Sequence, residues 1–154
     1  MPSFSRSSKA RLRTARPSLI SIFEEVVLWF DCTVLEGHRG KEAQNAAADA
    51  GNSQIRWPRG KHNSYPSKAV DVGPYDPRAR GVEWDIKVVE PRHRGLVRWK
   101  AVWNLCRFYY FAGFVVGMAR ARGIKLRWGG DWDGDTFLDD QSFRDLVHFE
   151  EVDE

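Results

Sequence analysis

The 154-residue chain is expected to fold in the α+β class, as a small antiparallel sheet packed against helices. Three observations lead to that expectation. Two long segments, residues 17–30 and 98–123, carry apolar side chains at helical spacing. Four short segments, at 32–37, 69–72, 124–128 and 146–150, have the β-branched content or alternation of strands and are interspersed with helices. No internal repeat, heptad or low-complexity block offers another architecture. A composition 42% hydrophobic and 13% aromatic, with seven tryptophans, suits a chain that buries a core.

Residues 1–16, "MPSFSRSSKARLRTAR", are basic and serine-rich and are expected to form a flexible arm, with residues 17–154 as one domain. Pro17 and Ser18 open a helix whose apolar positions are Leu19, Ile22, Phe23, Val26, Val27 and Phe30. A short strand at 32–37 ends on Gly37, and "RGKEAQNAAADAG" reads as a helix stopped by Gly51. Residues 52–91 are rich in Gly, Pro, Asn and Ser and hold one short strand, at 69–72. The segment 98–123 is expected to be the main core helix, with Trp99, Val102, Trp103, Cys106, Tyr110, Gly113, Phe114 and Gly117 facing the core. Strands at 124–128 and 146–150 follow.

A net charge of +3 with a pI near 9.0 suits nucleic acid, anionic membrane or acidic wall polymer equally. Cys32 and Cys106 match no metal spacing and sit in apolar stretches, so both are expected to be buried free thiols, made in a reducing compartment. No apolar region with a small-residue cleavage site follows the basic N-terminus, so no secretory signal is expected. The longest apolar run, residues 108–119, is 12 residues, short of the roughly 20 that span a bilayer. A soluble chain without stable membrane insertion is expected.

Two stretches hold the chemistry. "RGKHNSYPSKAVDV", residues 59–72, carries His62 and Asp71, and "RDLVHFE", residues 144–150, carries Asp145 and His148. A catalytic zinc takes three ligands from His, Asp or Glu and keeps a fourth position open. His62, Asp71 and His148 form such a set if the last strand lies beside the strand at 69–72. His148 alternates with Val147 and Phe149 and so points away from them. Asp145 could then serve as general base toward a water acidified by the metal. The same pattern also fits a surface His62 and a hydrogen-bonded core His148. His38 reads as a structural histidine and His93 as a loop histidine. The run "DWDGDTFLDD", 131–140, reads as a solvated acidic loop, because its glycine is misplaced for a calcium loop and no glutamate closes it. Trp128 and Trp132 in "WGGDW" are expected to line a groove.

Four stretches, "VLEGHRGKEAQNAA", "RWPRGKHNSYPSKAVDVGPY", "GIKLRWGGDWD" and "FRDLVHFE", together resemble phage endolysins of the D-Ala-D-Ala carboxypeptidase and L-alanyl-D-glutamate endopeptidase group of zinc peptidases. The resemblance covers roughly residues 18–150 and implies the fold shared with the hedgehog signalling domain. It implies one Zn²⁺ held by His62, Asp71 and His148, with Asp145 as catalytic base and Arg39 as the oxyanion-stabilising arginine. Eight residues separate His62 from Asp71, as in the phage subgroup, whereas many members of the wider group have six. Val147 stands where the subgroup usually has proline.

The resemblance further implies a zinc peptidase domain at 17–154 that hydrolyses the peptidoglycan stem peptide, at the L-Ala–D-Glu bond first of all. As an endolysin it would be a monomer made in the host cytoplasm, reaching the wall after a separate holin permeabilises the membrane, with no nucleic-acid partner. A D-Ala-D-Ala carboxypeptidase or dipeptidase is the nearest alternative. A basic nucleic-acid-binding module would explain the charge and leave the His–Asp set unexplained. A zinc-binding domain without catalysis would leave Asp145 without a role.

Overall fold

The computed structural model describes residues 1–89 and 96–153; His93, expected in a loop, lies outside them. Helices α1 (Arg6–Leu12), α2 (Pro17–Trp29), α3 (Lys41–Asp49) and α4 (Trp99–Ala121) combine with strands β1 (Cys32–Glu36), β2 (Ala69–Asp76), β3 (Gly81–Val82), β4 (Leu126–Gly129) and β5 (Asp145–Glu151). The sheet runs β1-β2-β5-β4, every neighbour antiparallel, with β3 added to the end of β2. This is an α+β fold.

The period-2 pattern divides the sheet into two faces. Val70 and Phe149 pair across β2 and β5 and turn to the core, where Phe149 meets Phe23 of α2 and Phe111 of α4 edge-on. Asp71 and His148, one step along, pair on the opposite face. Strand β2 runs four residues past the expected 69–72, through Gly73 and Pro74. Those two residues pair with Thr33 and Cys32 of β1, and a strand partner overrides their local turn preference.

Helix α2 buries Leu19, Ile22, Phe23, Val26 and Val27, the stripe its periodicity predicts. Its first residue, Pro17, has φ preset for a helix and needs no amide partner there.

The first 16 residues are not a mobile arm. Ser5 caps α1 by accepting the Ser8 amide, and Phe4, Ser8, Leu12 and Ala15 are buried. Ser8 Oγ accepts the Val34 amide of β1 at 3.1 Å, and Arg11 donates to the Val34 carbonyl at 3.0 Å. Gly37 completes the joint, since a Cβ there would stand 2.3 Å from the Arg11 carbonyl oxygen. The basic residues that suggested a solvated tail lie between buried positions spaced four apart, which is helical spacing.

Helix α4 presents the face opposite to the expected one. Ala101, Asn104, Phe108, Phe111, Ala112, Val115 and Ala119 are buried, whereas Trp99, Trp103, Cys106, Tyr110, Gly113 and Gly117 are exposed. Val102 and Phe114 sit half-buried at the margins. Residues 108–119 are apolar all round, so periodicity does not choose a face. Packing does, because alanines let the helix lie close to the sheet while Phe108 and Phe111 fill the space between.

Both cysteines are free, but Cys106 is exposed and only Cys32 is buried. Burial, with Asp31 beside it, pushes the Cys32 thiol far above its ordinary pKa. A water-soluble thiol reagent should therefore modify one cysteine in the native protein, Cys106, and both after denaturation. Peptide mapping of the labelled protein checks the assignment; rapid native labelling of Cys32 would contradict it.

Candidate metal centre and cleft

Three side chains from separate elements converge on one point. His62 sits on a single 3-10 turn (Lys61–Asn63), Asp71 on β2 and His148 on β5. His62 Nε2 lies 3.1 Å from Asp71 Oδ1 and 3.2 Å from His148 Nδ1, and the Asp71–His148 edge of this triangle is 3.1 Å. All three residues are buried.

The opposite side of each ring decides what faces the centre. His62 Nδ1 is 2.6 Å from the Gly37 carbonyl oxygen, a pure acceptor, so this nitrogen carries the proton and donates it. His148 Nε2 likewise donates to Glu150 Oε2 at 2.9 Å. In the neutral rings His62 Nε2 and His148 Nδ1 are then lone pairs, and both point with Asp71 Oδ1 at the same spot. Such a set repels itself unless a cation sits among its members. Burial opposes charge on His148, yet hydrogen bonds to Asp71 and Glu150 carry its pKa up to about 9, so that without a metal ion a proton on Nδ1, facing Asp71, takes the place of the cation. Burial opposes charge on Asp71 as well, yet its bonds to His148 and His62 hold it well below the usual carboxylate range.

The residue types and spacing fit a metal ion. Tetrahedral ligands about 2.05 Å from zinc stand about 3.3 Å apart, close to the edges of this triangle. A carbonyl and a carboxylate behind the two imidazoles provide the outer hydrogen bonds that metal-bound histidines use.

Glu150 and Arg127 belong to this arrangement and were not singled out as its support from sequence. Arg127 Nε donates to Glu150 Oε1 at 2.9 Å across the β4–β5 ladder, while Oε2 accepts from His148. Burial would raise the Glu150 pKa, but His148 and Arg127 bring it down to about 2. With both oxygens engaged, Glu150 is an orienting group, not a free base. The i, i+2 spacing of His148 and Glu150 was a legible signal of a shared face. The register that brings Arg127 to Glu150 was not.

Asp145 reaches the same cleft by a distortion. It lies three residues before His148, and plain alternation would send it to the other face. The β4–β5 pairing shifts between Trp128↔Phe149 and Gly129↔Asp145, leaving three residues of β5, 146–148, without counterparts on β4. Gly129 permits this crossing, because a Cβ there would stand 2.4 Å from the Asp145 carbonyl oxygen. Burial raises the Asp145 pKa first, and the negative charge of Asp71 adds to it.

Arg39 pairs with Glu36, donates to Gln44 Oε1 at 3.3 Å and lies 3.5 Å from Asp71 Oδ2. Its backbone amide donates to the His62 carbonyl at 2.8 Å, tying the start of α3 to the turn that carries His62. The hydrogen bond to Glu36 raises the guanidinium pKa, so its charge is permanent. Arg39, Asp145 and the three converging residues all line one cleft of about 850 Å³.

Trp132 forms part of that wall, donating Nε1–H to the Phe143 carbonyl at 2.8 Å with its ring 5.3 Å from His148. Trp128, expected beside it, is instead buried in the core, with Nε1–H donated to the Leu146 carbonyl. Trp84 and Phe143 are further aromatic side chains of the cleft. His38 shares a hydrogen bond with the Ser64 carbonyl and packs edge-on against Tyr65. The carboxylates of Asp131, Asp133 and Asp135 come close together on the acidic loop, where Asp131 accepts the amides of Gly134 and Thr136.

No family model matches the sequence, and no curated protein matches it. Among solved structures the fold is similar to that of the Serratia marcescens L-Ala D-Glu endopeptidase ChiX. That likeness has a TM-score of 0.66 and covers 98% of this chain and 91% of that one, at 23% sequence identity. The chain shares the fold of an L-Ala D-Glu endopeptidase.

Proposed function

We propose that this protein is a zinc-dependent peptidoglycan peptidase, an endolysin of phage type that hydrolyses the stem peptide at the L-Ala–D-Glu bond. The observation that carries the reading is the triangle of His62 Nε2, Asp71 Oδ1 and His148 Nδ1 at the wall of a cleft that also holds Asp145 and Arg39. The choice of bond rests on the shared fold with an L-Ala D-Glu endopeptidase. Zinc in such a site supplies Lewis acidity, polarising a carbonyl oxygen and acidifying water.

The residues of the chain do the rest. Asp145 takes the proton of the attacking water and returns it to the leaving amine nitrogen. Its raised pKa brings donor and acceptor closer in basicity than an ordinary aspartate would. Arg39, held by Glu36 and Gln44, aims a fixed positive charge at the oxygen where negative charge develops. Trp132 and Trp84 provide flat apolar surface for the stem peptide and its glycan. In this reading the enzyme is a monomer made in the host cytoplasm, and a separate holin opens the way to the wall. No described helix is long and apolar enough to cross a membrane, which is consistent with that need.

Purified sacculi incubated with the zinc-loaded protein should release stems with new D-Glu amino termini, and a chelator should stop the release. Mass spectrometry of the products decides; loss of terminal D-Ala without new D-Glu termini would make it a carboxypeptidase. His148→Ala should lose most bound zinc by metal analysis, because two remaining ligands are too few for a tight site. Stoichiometric zinc in that variant would remove His148 from the ligand set.

Asp145→Asn should keep its zinc and lose about 10²–10⁴-fold in turnover on sacculi. An unchanged rate would assign the base elsewhere. Gly129→Ala drives a methyl against the Asp145 backbone and should displace the base. A turnover loss of about tenfold or more is expected, with zinc content unchanged. Gly113→Ala, into open space on α4, is the matched control and should leave turnover at the parent level.

A further inference from the structure

The outward face of α4 is aromatic over its first three turns and continues through exposed glycines. Trp99 is 67% exposed, Trp103 69% and Tyr110 70%, and Leu96 and Val97, just before the helix, are 57% and 45% exposed. Their spacing of four, three and four residues, with Cys106 between Trp103 and Tyr110, puts them on one line, continued by Gly113 and Gly117. From Trp99 to Arg120 this line is about 32 Å long. Its aromatic part, Trp99 to Tyr110, is about 17 Å long, and a folded domain rarely leaves such a run of exposed aromatic side chains without a use.

Charge narrows what covers it. Residues 99–130 contain six basic side chains (Lys100, Arg107, Arg120, Arg122, Lys125, Arg127) and no aspartate or glutamate. Arg107, Arg122 and Arg127 are drawn to Asp76, Glu25 and Glu150. Lys100 stands at the start of the stripe with its side chain 65% exposed, near Glu83 at 3.6 Å. Arg120 and Lys125, exposed at the other end, have no acidic partner among the described residues. Cations flank an uncharged aromatic band. A nucleic-acid surface would instead interleave cations with the stacking rings, and the arginine beside the band, Arg107, is turned inward to the Tyr75 carbonyl.

We propose that the α4 face docks the protein on an anionic phospholipid bilayer, with the helix lying in the plane of the surface. Tryptophan and tyrosine rings place their apolar bodies at headgroup depth and keep their polar groups wet, while Lys100, Arg120 and Lys125 meet lipid phosphates. The helix lies on the membrane and does not cross it. Its inner face packs on the core side of the sheet, through Phe111 against Phe149, while Asp71 and His148 occupy the other side. Docked this way, the protein holds its cleft away from the lipid, open to a polymer above the membrane.

The test uses the full chain and vesicles of phosphatidylglycerol and phosphatidylethanolamine, with phosphatidylcholine vesicles as the uncharged comparison. Cys106, exposed within the stripe, takes an environment-sensitive fluorophore, while buried Cys32 does not. On anionic vesicles the probe should shift to the blue and be quenched by labels on the lipid chains, and added salt should weaken the response. The triple variant Trp99→Gln, Trp103→Gln, Tyr110→Gln should bind these vesicles about tenfold or more weakly. Its circular dichroism and its rate on isolated sacculi should stay at the parent level.

An unchanged probe spectrum, or equal vesicle binding by parent and triple variant, overturns the proposal. So does a parent dimer in sedimentation equilibrium that the triple variant dissolves without any vesicle binding, since the face then serves a second copy. Oligonucleotide binding that displaces the protein from vesicles, and is lost in the variant, assigns the face to nucleic acid. Each outcome is independent of whether sacculi are cleaved.

Discussion

The cleft depends on a single register, in which Asp71 of β2 lies directly opposite His148 of β5. That pairing brings two of the three converging donors within hydrogen-bond distance before any loop contributes. A slip of one residue would send Asp71 and His148 into the core and bring Val70 and Phe149 out to the cleft. The register is held from the other side of the sheet, where Phe149 is clasped between Phe23 and Phe111. Core packing and the convergence of the polar set are thus two consequences of one alternation. The aromatic grip behind the sheet keeps the polar set in front aligned.

Around that register lies a shell of hydrogen bonds that fixes which nitrogen of each imidazole faces the centre. The Gly37 carbonyl fixes one imidazole and Glu150 the other, and Arg127 fixes Glu150. Without those acceptors either ring could turn its other nitrogen toward the centre, and the arrangement that could hold a metal ion would be lost. Gly37 depends in turn on α1, whose Arg11 carbonyl leaves room there for a hydrogen and nothing larger. Residues 1–16 are therefore part of the scaffold behind His62, although their composition is that of a tail.

The two sides of the molecule divide the labour. The sheet face with Asp71 and His148 carries the polar cleft, and the other face carries α2 and α4, with the aromatic band of α4 outermost. The distortion of β5 adds Asp145 to the polar side against its own alternation. Gly129 makes the distortion possible where any larger residue would meet the Asp145 backbone.

Local pattern was enough for the class of fold and the positions of α2 and of the strands around the site, and it offered His62, Asp71 and His148 as a candidate set while leaving a surface His62 and a hydrogen-bonded core His148 open. These rest on periodicity and residue chemistry, which are written in neighbouring positions. Resemblance across four stretches implied that set as the ligands and added Arg39, and Arg39 and Asp145 both line the cleft with the three. Tertiary structure decided the rest, because it turns on what lies across a gap. A helix apolar all round has no preferred face until a sheet is packed against it, so the exposed band of α4 was invisible and its face was inverted. The burial of Trp128, the pairing of Arg127 with Glu150 and the bulge that delivers Asp145 all depend on the β4–β5 register. Register is a relation between distant segments, set by the fit of their side chains in the folded core.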